Sequence, residues 1–146
     1  MKAITLWQPW ASLIACGAKK IETRSWATKY RGPLAIHAAK NYNTPKCAWQ
    51  EPFKTGLAKA GMFTEYPGGK LGFSLRHNGC VIAIADLVDC IEMTRMDIVT
   101  MVSEQEFEFG NYEPGRFMWL MENVRPIEPV PAKGMQRLWE WPGREP

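Results

Sequence analysis

Histidine and cysteine are scarce in this chain: two histidines, His37 and His77, and four cysteines at positions 16, 47, 80 and 90, with no C-x-x-C pair among them. Zinc sites draw on closely spaced Cys and His ligands, so neither a metal nor any other cofactor is expected. The cysteines sit in apolar or helical stretches, which fits reduced, buried thiols better than a secreted disulfide scaffold. Long apolar runs are also missing. The longest, Cys80 to Ala85, is far short of the ~20 residues a membrane helix needs. The start, Met1 to Trp7, reads as a strand without the features of a signal peptide, so a cytoplasmic protein with no membrane association is expected.

What is present is an ordinary globular composition. Hydrophobic residues make up 46% and charged residues 23% of 146, enough for one core and one domain spanning 1–146. There is no internal repeat, no dividing linker and no signal for oligomeric state. The net charge is only +3, but its distribution is lopsided. Between Lys19 and Lys46 seven basic residues, Lys40 among them, face one acid, Glu22; from Asp86 to Glu113 eight acids face only Arg95. Such runs are consistent with solvated faces or with an anionic ligand at the first segment.

Residues Lys2 to Trp7 alternate as a strand, and Gln8-Pro9 opens a short helix carrying Trp10, Leu13 and Ile14 at helical spacing, closed by Gly17. Ile21 to Trp26 reads as a strand with Glu22, Arg24 and Trp26 on one face and Ile21, Thr23 and Ser25 on the other. A third strand, Leu34 to Ala38, follows the turn Arg31-Gly32-Pro33. Thr44-Pro45 begins a helix interrupted at Pro52 and resumed from Phe53 to Met62, and Pro67 to Gly79 reads as a glycine-rich loop. Cys80 to Cys90 is the best central strand. Thr94 and Asp97 form a capping-box pattern before a helix with Ile98, Met101 and Val102 inward. Phe117 to Val124 is another strand. Six of the eleven prolines fall from position 114 onward, so 126–146 is expected to be an extended strap. The expected class is α+β: a small mixed barrel of five or six strands with short helices.

The run Trp7-Gln8-Pro9-Trp10, followed by Gly17-Ala18-Lys19-Lys20-Ile21-Glu22-Thr23-Arg24, resembles the ASCH domain signature G-x-K-x-x-E-x-R, and Arg31 to Ala38 is similar to the next strand of that family. The resemblance is specific over about the first forty residues and weaker from Trp119 to Gly134. The segment 41–79 has no counterpart in it and reads as a helical or loop insertion. What the resemblance implies is a PUA-like β-barrel with a helix across its mouth, a fold common in RNA-binding and RNA-modifying proteins. It also implies a choice of activities: RNA binding, ribonuclease activity, or hydrolysis of the acetyl amide of N4-acetylcytidine.

Within that frame Lys19 is a phosphate ligand or proton-transfer group, and Glu22 a general base or water-positioning group; an ordinary solvated lysine and a structural ion pair with Arg24 are the alternatives. Arg24 and Lys40 suit phosphates, and Trp7, Trp10 and Trp26 suit base stacking, where core packing is the alternative. Gln8 reads a base or amide edge, or caps the helix. His37 is a pocket hydrogen-bonding group or a satisfied buried histidine. Family members similar to acetylcytidine amidohydrolases carry threonine in place of Glu22, and Thr23 faces the other way, which disfavours a covalent mechanism. A water-activating one, with Lys19 stabilising the oxyanion, stays open. Three functions are therefore carried forward: an RNA- or nucleotide-binding module, a small hydrolase on a modified nucleoside or RNA, and an adaptor binding protein through its acidic segment and inserted helices.

Overall fold

Short strands rich in β-branched and small apolar residues, separated by Gly and Pro turns, make a sheet the dominant element. The computed structural model describes residues 1–41, 46–74 and 77–143. Six strands form one curled half-barrel sheet in the order β2-β7-β6-β3-β1-β8: β1 (Lys2–Leu6), β2 (Ile21–Arg24), β3 (Gly32–Ala38), β6 (Cys80–Glu92), β7 (Phe117–Pro131) and β8 (Leu138–Glu140). A separate hairpin pairs β4 (Phe63–Tyr66) with β5 (Lys70–Phe73). The helices are short: α1 (Trp10–Ala15), α2 (Phe53–Lys59), α3 (Arg95–Met101) and α4 (Glu104–Phe109). None among the described residues is long and apolar enough to cross a membrane.

The continuous apolar run in β6 is explained by burial on both faces. One face joins Leu34, Ile36, Ala83 and Ala85 to Ala11 and Ile14 of α1, with the fully buried Trp119 beside them. The other sets Ala3, Ala35 and Val81 against Trp139 and Trp141. Helix α1 is buried from its far side as well, since Leu13 packs with Phe53, Leu57 and Phe109. Gly17, at φ +82°, ends α1 in the left-handed conformation expected of it and turns the chain into β2.

Several local expectations need correction. β2 stops at Arg24, with Trp26 beyond it. The segment read as a loop from Pro67 contains a hairpin whose turn uses Gly68 and Gly69 at positive φ, a glycine pair that suits the tight return. Thr44-Pro45 lies outside the described residues, and only a 3-10 turn, Lys46–Trp49, precedes Pro52. The chain from Pro126 to Pro131 is the end of β7: β2 pairs only with Phe117–Leu120, so the far side of β7 beyond that point is an edge, where proline costs no ladder bond. The capping box is present, with Thr94 Oγ1 accepting from the Asp97 amide at 3.1 Å and Asp97 Oδ2 from the Thr94 amide at 2.9 Å. Ile98 and Val102 pack inward as expected, whereas Met101 is 41% exposed. Cys16 is exposed too, contrary to the expectation of four buried thiols.

These packing relations rank two substitutions. Ile36→Ala, which opens a cavity where sheet meets α1, is expected to cost ~2–5 kcal/mol, and Thr94→Ala, which removes one exposed cap, ~1 kcal/mol. Urea unfolding of both variants checks the order, and equal costs would contradict this core assignment.

Candidate nucleic-acid cleft

The helix-to-strand turn at Gly17 throws Lys19 inward and leaves the alternate residues of β2 facing a cleft. Lys19 is 0% exposed, its Nζ donating to the Ile21 carbonyl. Glu106 of α4 is buried beside it and accepts from the Lys20 amide at 2.5 Å through Oε1, while its Oε2 takes a 3.5 Å hydrogen bond from the Tyr112 hydroxyl. Burial pulls the Lys19 ammonium below its ordinary value of 10.5, opposed by the charges of Glu22 and Glu106. Burial first, and then Glu106, push the Tyr112 phenol well above its usual 10.0. This charged layer ties β2 to α4.

Above it lie two connected lobes. The first, of ≈ 490 Å³, is walled by Trp7 and Trp10, by β2 from Glu22 onward, and by the end of α4 with Asn111 and Arg116. The second, of ≈ 710 Å³, lies between Thr5, His37 and Lys40 on one side and the segment 132–137 on the other. Trp7, Arg24 and Trp26 line both. The lobes differ electrically. Glu22 and Glu108 balance Arg24 and Arg116 in the first, whereas the second collects Arg24, Lys40, Lys133 and Arg137 and no carboxylate among its lining residues.

Each expected residue has a definite place. Trp7 is 64% exposed at the junction of the lobes. Trp10 donates from Nε1 to the Phe109 carbonyl at 2.7 Å, pinning α4 to α1 while its ring lines the first lobe. Trp26 stands edge-on to Trp119, with ring centres 4.8 Å apart, and the Arg137 guanidinium sits 4.5 Å from the centre of its ring. Arg24 Nη2 donates to the Thr5 carbonyl at 3.2 Å, and its buried Nε has no partner among the described residues. Glu22 is half-buried, with Oε1 accepting from the Thr23 amide at 2.9 Å. Lys40 is exposed at the rim of the second lobe.

Three expectations change. Lys19 does not line either lobe, so direct phosphate contact and oxyanion stabilisation by its ammonium lose their geometric basis; it supports β2 from beneath. Gln8 is buried outside the cleft, and its Oε1 accepts from the Ser12 amide at 3.1 Å, which is the helix-capping alternative. His37 faces the second lobe but is 1% exposed and satisfied: Nε2 lies 2.8 Å from the Ala132 carbonyl, which can only accept, so Nε2 carries a proton, and Nδ1 lies 3.2 Å from Thr5 Oγ1. Trp139 Nε1 donates to the same Oγ1 at 3.1 Å. Gly134 closes over this group so tightly that a Cβ there would fall 2.6 Å from the His37 ring. Sequence reading missed Asn111, Arg116 and Arg137, which carry no local motif. Lys133 lies in the weakly similar stretch before Gly134. Among the described residues no group of three or more His, Cys, Asp or Glu is placed to hold a metal.

Comparison with known proteins agrees with this architecture. The ASCH domain family model matches residues 4–131. Activating signal cointegrator 1 from Mus musculus and from Homo sapiens are each 28% identical over 138 residues, covering 94% of this chain. The chain spans only 22% of the length of these curated relatives. The crystal structure of ASCH from Zymomonas mobilis superposes with a TM-score of 0.53 at 16% identity, covering 97% of this chain and 87% of that one. A single-substitution mutant of the same protein gives 0.56 at 15%, covering 97% and 90%. At these identities the structures speak to the fold.

The buried lysine makes stability depend on pH in a defined sense. With its folded-state value depressed, the unfolded chain binds more protons between that value and 10.5, so this group's contribution to stability rises with pH across that interval. Wild type is therefore expected to gain stability relative to Lys19→Met between neutral pH and pH 9, below the range where Tyr112, with its ordinary value of 10.0, titrates in the unfolded chain. Urea midpoints of both proteins along that pH series provide the measurement, and a constant difference would contradict burial of the ammonium.

Proposed function

The chain belongs to the ASCH domain family, and from that premise we propose that it is an RNA- or nucleotide-binding module that seats bases at its tryptophans and phosphates in its basic lobe. ASCH domains are generally RNA-associated. The observation that carries the reading is the meeting of the exposed Trp7 with Arg24 and Trp26 where a mixed-charge lobe opens into one lined by four cations and no acid. A base stacks on an aromatic face regardless of its identity, while the phosphates that flank it demand cations. The first lobe, with Glu22 and Asn111 beside Arg24 and Arg116, offers acceptors and donors to a base edge.

A hydrolase is the second reading, and the placement of Glu22 favours it. What supports it is that a half-buried carboxylate lines the first lobe, a group of the kind that can activate water without help from the buried Lys19. A general base must accept a proton, so Glu22→Gln should abolish turnover of N4-acetylcytidine or RNA with little loss of affinity, whereas in a pure binder it leaves affinity unchanged or slightly improved.

Titration with a single-stranded RNA at several salt concentrations tests the leading reading. Affinity should fall with a log-log slope of about −0.7 per phosphate contacted, and Lys133→Gln or Arg137→Gln should each make the slope shallower by about that amount. Trp7→Ala, at an exposed position where stability is not at stake, should weaken binding by ~1–3 kcal/mol. Binding indifferent to salt and to these substitutions would overturn the phosphate assignment and leave a neutral nucleoside as the ligand.

A further inference from the structure

Away from the basic lobe, α3 and α4 frame a groove that the cleft does not use. Helix α3 is seven residues long and buries none of them fully. A helix so short has little stability of its own and ordinarily gains it by covering an apolar face. Ile98 and Val102 pack inward, yet their outer edges join the exposed Val99 of α3 and Phe107 of α4 as the floor of a concavity of ≈ 970 Å³, completed by Pro52 before α2. Val99 is 78% exposed and Phe107 49%, values that mark an uncovered apolar surface rather than a core edge. The rim is acidic. Glu51, Glu104 and Glu108 line the groove with no basic residue among its lining, and none of the three forms an ion pair among the described residues.

We propose that this groove docks a cationic amphipathic helix of a partner protein, with apolar side chains at i, i+3 or i+4, and i+7 on the Val99–Phe107 floor and Lys or Arg against the three carboxylates. Charge complementarity selects the occupant. An acidic rim repels nucleic acid and anionic lipid surfaces, while an apolar floor alone accepts any hydrophobic face. The groove is built from helices and a loop and has no strand edge to extend, which favours a helical ligand over an extended one. A second copy of this chain is a poor match. Its exposed cations at Lys40, Lys133 and Arg137 lie outside its helices, and the exposed face of its basic helix α2, Lys54, Thr55, Ala58 and Lys59, has no large apolar residue. The groove shares Glu108 with the lining of the first lobe but no residue with the basic lobe, and the proposal does not rest on RNA binding.

The test uses two synthetic helical peptides of about 20 residues with the same Leu and Ile face, one carrying Lys and Arg on its other face and one carrying Glu there. Each is titrated into the full chain, with affinity from calorimetry and location from amide chemical shifts. The cationic peptide is expected to bind at least about ten-fold more tightly, with shifts clustered on α3, α4 and the residues before α2. Val99→Ser, at a position whose exposure leaves folding unaffected, should weaken it about ten-fold, and Glu104→Gln should reduce its salt dependence. Equal affinity for both peptides, shifts centred elsewhere, or no saturable binding would overturn the proposal. Self-association removed by Val99→Ser would also overturn it, assigning the groove to a second copy.

Discussion

A lysine that cannot reach water organises the cleft. An ammonium at zero exposure is tolerated only when hydrogen bonds and opposite charges replace its hydration. The Ile21 carbonyl accepts from its Nζ, and Glu22 and Glu106 supply the charge. Glu22 stands on β2 and Glu106 on α4, and the hydrogen bond from the Lys20 amide to Glu106 ties the start of one element to the other beside the first lobe. Glu106 adds the Lys20 amide and the Tyr112 hydroxyl to the same group, so the wall is cross-braced rather than merely apposed. Trp10 makes a second tie from α1 to the end of α4. The cleft is therefore held by polar contacts beneath it, with the exposed Trp7 and parts of Arg24 and Trp26 turned to the cavity.

The same division of labour runs into the second lobe. Thr5, His37 and Trp139 form a hydrogen-bonded group beneath the basic surface, closed by the Ala132 carbonyl and by the glycine at 134 that no side chain could replace without a clash. His37 is thus oriented and consumed by its partners. The segment from Ala132 to Arg137 is pressed onto β1 and β3, and that placement is what delivers Lys133 and Arg137 to the lobe. In both lobes a satisfied polar layer carries the fold while a facing layer of cations and indole rings is left to meet a ligand.

Much of this architecture was legible in the sequence where local rules govern. The Gly17 turn marked the junction, Glu22 and Arg24 line the cleft from β2 as their alternation suggested, and the capping box at Thr94 formed with the partners its spacing requires. Legibility ended where the outcome depends on what packs against a segment. The signature singled out Lys19 over Lys20 but did not show that Lys19 would be buried, since α4, some eighty residues away, packs beside it. Gln8 offered two roles that only the position of the Ser12 amide separates. The tail prolines spoke for a strap, yet Pro126, Pro129 and Pro131 lie in β7, one side of which has no neighbour there. Residues 138–141 alternate Leu-Trp-Glu-Trp, a strand signal overshadowed by the prolines around it.

The lopsided charge of the chain also resolves once positions are known. The basic run does not form one patch: Lys19 is internal, Arg24 and Lys40 turn to the cleft, and Arg31 pairs with Asp89 at 3.2 Å on the surface. The acidic run divides likewise. Asp86 pairs with Arg125 at 3.3 Å, Asp97 caps α3, Glu106 accepts from the Lys20 amide, and Glu104 and Glu108 remain at the groove between α3 and α4. Surface pairs of this kind contribute ~0–1 kcal/mol each, so they explain little of the stability and nothing of the function. Among the described residues, two groups of charges outside ion pairs gather in concavities: cations at the second lobe, and carboxylates around an uncovered apolar floor. Charges without partners on a folded surface are the ones available to recognise something else, and here the two signs gather in different concavities.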